Sequence, residues 1–451
     1  MRKINALYEP EDDGLSGASA VWRSKPVIHR SEPIPESTYQ TNLSADLPAP
    51  TLTPETVKYW SDYTRVFYHP KSLQQLSDFD VNDKLLPFES YDVGFDLFEK
   101  LEREIDLVDA DLRPFIEECD GLQGIQIMTG IDGAWGGWTS GWLERLRDEY
   151  GKKSIWVWGL GDQGANTAYP REKRMQQLSN SARSLSVFAE QASVYVPMAN
   201  APSKSPSYIE YQANSSWHVG AMQAIALESM TISSRLRASH DGRGTLQDLE
   251  DTINSTGQRR IAKLGFSIAD PDVLSEKVST LSLEAEKTGS MEPRRYSEDD
   301  GEDDQLTSFD MDMFTLSYRA ATVKSRKQEH TFGRVESARG EWTVPGVEPS
   351  RDPRDRFNDG PAVQSYNAPL LFPVLDSYPA IFNVGKGHTQ KLAVHAGLTT
   401  STAVAEQVRT VEQLMRRMHG IQEREDLCNR LQIIAEQYDE GWDSGSEGDD
   451  D

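Results

Sequence analysis

The chain has 451 residues, 37% of them apolar and 9% aromatic, with a formal charge of −25. That is enough for two or three domains with real cores, while a mean hydropathy of −0.61 leaves much of the rest in water. Thirteen of the twenty-five net charges sit in two short acidic runs, Glu298–Asp304 and Tyr438–Asp451. No direct nucleic-acid role is expected, because such binding needs a basic surface to displace counterions. Two distant cysteines, Cys119 and Cys428, fit a reducing compartment and not a disulfide framework. No apolar run approaches the roughly 20 residues of a membrane helix, so no transmembrane segment is expected. The start, "MRKINALYEPEDDG", turns acidic too early for a signal or transit peptide.

In chain order, residues 1–52 read as an extended, largely disordered arm, rich in Pro, Ser, Glu and Asp. Order is expected from "TPETVKYWSDYTRVFYHP", where Thr53 or Thr56 can cap a helix with Val57, Tyr59, Trp60, Tyr63 and Phe67 on one aromatic face. A clearer helix follows, with Phe98, Leu101, Ile105, Val108, Leu112 and Phe115 at three- and four-residue steps and Pro114 bending its far end. "GLQGIQIMTG" reads as a buried strand, "WLERLRDEYG" as a helix and "SIWVWGL" as a second strand. Strand, glycine loop, helix and strand make a βαβ unit with parallel strands. Further helices are expected over about 171–192 and 213–238, with "VYVPMA" as a strand between them.

Beyond residue 240 the patterning weakens. "STGQRRIAKLGFSIADPDVL" reads as loop with short elements, and an acidic linker lies near 288–308. "SYRAATVKSR" and "PLLFPVLDSYPAIF" read as strands or buried stretches. A late helix carries Val404, Val408, Val411, Leu414 and Met418 on one face. The segmentation is therefore 1–52, 53–240, 241–435 and an acidic, disordered tail at 436–451.

The candidate site is the glycine segment after the first strand, with Asp132, Gly133, Ala134, Trp135, Gly136 and Gly137 as its cofactor-binding candidates. A phosphate loop points consecutive N–H groups at an anion on a helix N-terminus, and its glycines allow close approach. The layout fits, with a loop over Thr129–Thr139 and a helix from about Ser140. The string itself is neither a Walker loop nor a Rossmann fingerprint. Spacing alone leaves phosphate binding and a structural tight turn both open. Other candidates are weaker. The eight histidines form no ligand pair, Gly-Lys-Gly in "NVGKGHTQ" lacks Walker spacing, and Cys119 reads as a small packing residue. No catalytic residue and no metal site is expected. Ser444 and Ser446, among acids, are weak phosphorylation candidates.

"CDGLQGIQIM…WLERLRDEYGKKS" resembles the matching segment of α-tubulin, and together with "KYWSDYTRVFYHP", "LRPFIEECDGLQG", "DGAWGG" and "RDEYGKKSIWVWGL" it is similar to the Misato family of tubulin-related proteins, in its fungal mitochondrial-inheritance branch. The resemblance is strong over about 53–235. It implies an α/β fold with a tubulin/FtsZ-like parallel sheet and flanking helices, followed by a divergent α+β C-terminal region. It also implies a family segment preceding anything here, so that the sheet would expose an edge and an apolar face. Where tubulins carry Gly-Gly-Gly-Thr-Gly-Ser-Gly, this chain has a degenerate string one residue shorter, with Asp132 for a glycine and Trp135 for the threonine. A carboxylate there repels phosphates unless magnesium intervenes, and Trp135 fills a vacated pocket or packs on Trp138 and Trp142. "HDGRGTLQDLEDTINSTGQRR", after the central helix, has acids but not tubulin's hydrolytic pattern. The implied role is a non-catalytic organiser in mitochondrial partitioning and mitochondrial DNA inheritance, with no cofactor expected and GTP the one candidate. Implied partners are proteins such as tubulin, chaperonin or mitochondrial surface factors, at the cytosolic face of the mitochondrion and in the cytoplasm. The alternatives are a GTP-binding, polymer-forming GTPase and an assembly cofactor for tubulin-like proteins.

Overall fold

Alternation along one strand, Ser154–Leu160, organises the interior. Trp156 and Trp158 point to one side and Ile155 and Val157 to the other, and all four are fully buried. Side chains of successive strand residues face opposite ways, so both faces of this strand are covered. The structure is a computed structural model. It describes residues 35–69, 72–76, 78–79, 85–161, 169–202, 205–240, 242–272, 274, 309–314, 329–340, 342, 361–384, 391–418 and 424–439.

After a short helix α1 (Thr38–Ser44) come α2 (Tyr91–Ile105), a π turn (Val108–Leu112) and α3 (Arg113–Glu117). Then β1 (Gly124–Gly130), α4 (Ala134–Glu149), β2 (Ser154–Leu160), α5 (Arg171–Gln191) and β3 (Val194–Met198) form a parallel sheet of order β1-β2-β3. The central helix α6 (Ser216–Met230) and α7 (Leu246–Ile253) lead into a second, mixed sheet. Its strands are β4 (Lys263–Ala269), β5 (Met311–Asp312), β6 (Thr331–Arg339), β7 (Ala362–Ala368), β8 (Phe372–Pro373) and β9 (Lys391–Ser401), in order β5-β4-β9-β6-β7 with β8 on β9. Helices α8 (Ala403–Arg417) and α9 (Arg424–Glu436) close the described chain. This is an α/β tubulin-like architecture with an α+β C-terminal part.

Two cores follow from the alternation. The tryptophan face of β2 packs with α6, α7 and the inner face of the mixed sheet through Met222, Ile225, Phe266, Val394 and Leu398. The Ile155 and Val157 face packs with α4, α5, α8 and α9. A parallel bridge between Tyr195 and Ile261 ties the first sheet to the chain entering the second. The edge expected of the first sheet is present: β1 pairs only with β2 among the described residues, and Met128 is 54% exposed.

Several local expectations are corrected. Residues 53–67 form no α-helix, only a turn and a 3-10 turn at Trp60–Asp62. The Asp62 carboxylate accepts the amides of Lys58 and Tyr59, which closes a loop in place of a helix, and Trp60 and Phe67 face water. The arm expected over 1–52 contains α1, whose Tyr39 is buried against Leu52 and Trp217. The long helix breaks at Asp106, which is left-handed (φ 51°), and not at Pro114, which helps start α3. "GLQGIQIMTG" is half-exposed because it is the edge strand. The segment beyond 254, where loop with short elements was expected, holds a seven-residue buried strand, β4. "SYRAATVKSR", the linker near 288–308 and residues 440–451 lie outside the described residues, as do 385–390 of "NVGKGHTQ". The first part of the tail expected to be disordered over 436–451 is instead packed, with Glu436 closing the last helix and Tyr438 fully buried.

Candidate functional site

The glycine segment sits at the carboxyl ends of β1 and β2, where open parallel sheets place their ligands. The ladder runs one residue past β1, with the Ile131 amide donating to Leu160 at 3.0 Å. Three residues, Ile131 to Gly133, make the turn, and α4 starts at Ala134, six residues earlier than expected. Gly136 and Gly137 therefore lie inside a helix and not in a loop.

Their environment explains their size. A Cβ on Gly137 would stand 1.9 Å from the Tyr91 carbonyl oxygen, and one on Gly136 would stand 2.1 Å from Ser184 Oγ. Gly141 is pressed on Phe98, and across the contact Gly94 is pressed on the Ala134 carbonyl. These glycines let α2 cross α4 at backbone distance and let α5 close the other side.

Asp132 is turned inward. Its Oδ1 accepts from Ser181 Oγ at 2.8 Å, and its carbonyl accepts from Asn180 Nδ2 at 2.9 Å. Asn180 also donates to the Glu89 carbonyl and accepts the Tyr91 amide. One buried asparagine on α5 thus fixes both the turn and the start of α2. The carboxylate expected beside a phosphate is instead tied to the middle of α5. Gly161, with φ +157°, has room for no Cβ because this carboxylate lies 2.7 Å from where it would be.

Trp135 neither fills a pocket nor packs on Trp138. It is 47% exposed and meets the Phe88 ring edge-on at 5.0 Å. Trp138 and Trp142 pack on Phe98, at 5.6 and 5.5 Å between ring centroids. Behind the turn, Thr139 Oγ1 donates to Thr129 Oγ1 at 2.7 Å, and Thr129 Oγ1 donates to the Trp135 carbonyl. The N-cap, Gly133, offers no side-chain acceptor, and the first turn of α4 has no acid. The end of this 16-residue helix keeps the partial positive charge that favours an anion.

The acids of "TLQDLEDTI" lie at the other end of the sheet. The Leu246 amide donates to Gln123 Oε1, and Ser154 Oγ donates to Gln247 Oε1, so α7 sits by the amino ends of β1 and β2. A seven-residue strand spans about 23 Å, which separates these acids from the glycine turn. Asp248 is committed to a capping box with Thr245, and Asp251 accepts from Gln247. Among the described residues no group of three or more His, Cys, Asp or Glu could hold a metal, and no helix is long and apolar enough to cross a membrane. Cys119 is exposed, unlike the packing residue expected, and Cys428 is buried.

Sequence reasoning missed Asn180, Ser181 and Ser184. They sit mid-helix in a polar-looking stretch, and the signal was the run of small residues "SNSARSLS" on a helix that had to face a glycine-rich one.

Comparison with known proteins agrees with this architecture. A family profile described as a tubulin domain matches residues 49–236. The protein DML1 of Phaeosphaeria nodorum is 64% identical over 453 residues, covering 100% of this chain and 86% of that protein. The protein dml1 of Aspergillus clavatus is 39% identical over 457 residues (100% and 86%), and dml-1 of Neurospora crassa is 38% identical over 472 residues (100% and 87%). With identity of this order along its entire length, the chain is a tubulin-like protein and belongs to the Misato-like DML family.

Proposed function

We propose that this chain is a non-catalytic tubulin-like scaffold acting in the partitioning of mitochondria and the inheritance of mitochondrial DNA, from the cytosolic face of the organelle and the cytoplasm. The observation that carries the non-catalytic part is the use made of Gly136 and Gly137. Both are spent on helix crossing, against Ser184 and Tyr91, and the mouth of the turn holds Trp135 on Phe88. A phosphate cradle needs free backbone N–H groups and small side chains at that mouth. The acids of α7 support the same reading, since Asp248 is engaged in capping and Asp251 in a side-chain hydrogen bond. The mitochondrial part rests on the family resemblance. On this reading no cofactor is needed, and the partners are proteins, with tubulin, chaperonin and mitochondrial surface factors as the classes to test.

One observation favours a second reading, a GTP-binding protein that polymerises. The N-terminus of α4 has neither a side-chain cap nor an acid in its first turn, and it lies at the carboxyl end of a parallel sheet. The discriminating experiment is phosphate release from GTP by the purified full chain, with extraction and identification of any bound nucleotide. No turnover and no nucleotide are expected. Protein-dependent turnover, or a sedimentation shift with GTP, establishes the second reading. Co-purification from native cells then separates a mitochondrial scaffold from an assembly cofactor, which would bring down chaperonin or tubulin and form no polymer.

A further inference from the structure

The amino ends of β2 and β3 open into a cleft of about 470 Å³, at the opposite end of the sheet from the glycine turn. Arg147, Lys152, Lys153 and Arg260 line it, with Glu190 and Glu250. In a chain with 72 acids and 47 bases, cations normally find carboxylates close by. Here, among the described residues, none of the four forms an ion pair within 4 Å. Arg147 is held by carbonyls and a hydroxyl, those of Gln191, Gly151, Lys153 and Ser193. Arg260 donates to the carbonyl of Glu190 and not to its carboxylate. Burial, then the nearby charge of Arg260, pushes the Arg147 guanidinium below its ordinary range, with the Glu250 charge opposing the shift. Burial pushes the Glu250 carboxyl above its ordinary range.

A second observation points to what fills the cleft. The chain leaves α9 beside it. Tyr438 is fully buried, its hydroxyl accepting the Ile261 amide at 2.6 Å, and Arg259 Nε donates to the Gln437 carbonyl at 3.1 Å. The residue between those two anchors is Arg260, which lines the cleft. Beyond Asp439 the sequence reads "EGWDSGSEGDDD", six acids in twelve residues and no base. Twelve residues reach at most about 40 Å when extended, far more than the step from Tyr438 to Arg260 requires. A tethered segment also presents its charges at an effective concentration in the millimolar range.

We propose that this cleft is a binding site for an acidic peptide strand, and that its occupant is the chain's own C-terminal segment, residues 440–451. Carboxylates of the segment would meet the ammonium groups of Lys152 and Lys153 and the guanidinium of Arg260.

Zero-length carbodiimide cross-linking of the full chain, read by peptide mass spectrometry, tests this. Amide bonds from Glu440, Asp443, Glu447 or Asp449–Asp451 to Lys152 or Lys153 are expected, within one molecule. Exposed pairs are screened beyond about 10 Å at 0.1 M salt and about 3 Å at 1 M, so the yield should fall roughly fivefold between 0.05 and 0.5 M NaCl. Arg260→Gln removes a cleft cation without removing a reactive amine and should lower the yield about twofold to threefold by the same reasoning. The salt series on the unaltered chain needs no variant to fold. Tail carboxylates that link equally to Lys58, Lys173 and Lys391, links that survive high salt, or links found only between isotopically distinct copies would each overturn the proposal.

Discussion

Gly137 and Tyr91 touch through their backbones: a Cβ on the glycine would stand 1.9 Å from the tyrosine carbonyl oxygen. That contact fixes where α2 crosses α4, and it turns what reads as a nucleotide loop into a packing device. It also separates two kinds of glycine within five residues. Gly133 has no neighbour closer than 3.8 Å to a Cβ and an extended φ of −138°.

Gly137→Ala is therefore expected to destabilise the fold by about 2–4 kcal/mol, because the obstructing atom belongs to the backbone and cannot swing away. Gly133→Ala should change stability by less than about 1 kcal/mol. Urea denaturation of the two variants checks the contrast, and equal effects would contradict the packing role.

Trp135→Thr, which restores the residue type of the resembled loop, should cost no more than about 1 kcal/mol. The side chain is half exposed and its aromatic partner among the described residues is Phe88. The variant should still show no GTP turnover, since Gly136 and Gly137 remain engaged. Gained turnover would show that Trp135 alone blocks the site.

Asp132→Ala removes the acceptor for Ser181 Oγ beside the fully buried Tyr195. A loss of about 1–3 kcal/mol is expected from the stranded hydroxyl and the emptied space. Asp132→Asn, which retains an acceptor oxygen, should lose less. Thermal unfolding of both variants measures the difference.

The mixed sheet contains a buried charge cluster. The Glu336 carboxylate lies 2.6 Å from Arg334 Nε and 3.0 Å from His395 Nε2, with Phe309 over the guanidinium. Burial raises the Glu336 pKa, but the His395 hydrogen bond and the Arg334 charge outweigh it, leaving a net value below the ordinary range. A depressed carboxylate stabilises the fold above its unfolded pKa, about 4.3, and that contribution is lost as pH falls through the folded value. Glu336→Gln should cost about 3–5 kcal/mol near pH 7, where it removes the charged partner of a buried guanidinium. The gap to the unaltered chain should narrow below about pH 4. Denaturant midpoints across pH 3–7 give the test, and a gap constant with pH would exclude this carboxylate as its source.

Tyr438→Phe deletes the hydroxyl that bridges the Ile261 amide and carbonyl. About 1–2 kcal/mol should be lost, and hydrogen exchange at the end of α9 should speed up. If the exchange stays unchanged, the anchor is not what holds this end.

Much of the chain's organisation was legible in its letters. Apolar spacing placed α5, α8 and the βαβ unit around β1, α4 and β2. Several unrelated strings in the right order pointed to the family. Those features are local: a helix or strand face repeats within a few residues, so periodicity alone encodes it. Strands β4 and β6 were not legible. β6 carries Arg334 and Glu336, which look solvated until the fold brings His395 and Phe309 over them. The aromatic run at 57–67 looked helical until Asp62 claimed two of its amides.

The glycine segment draws the line most sharply. Its letters placed a glycine loop between a parallel strand and a helix, and left phosphate binding and a structural tight turn both open. Whether the glycines face an anion or another helix depended on Tyr91, Phe98 and Ser184, which come from segments remote in sequence. A missing side chain records only that something must come close. Which neighbour comes close is a matter of three-dimensional packing, and no local pattern carries it.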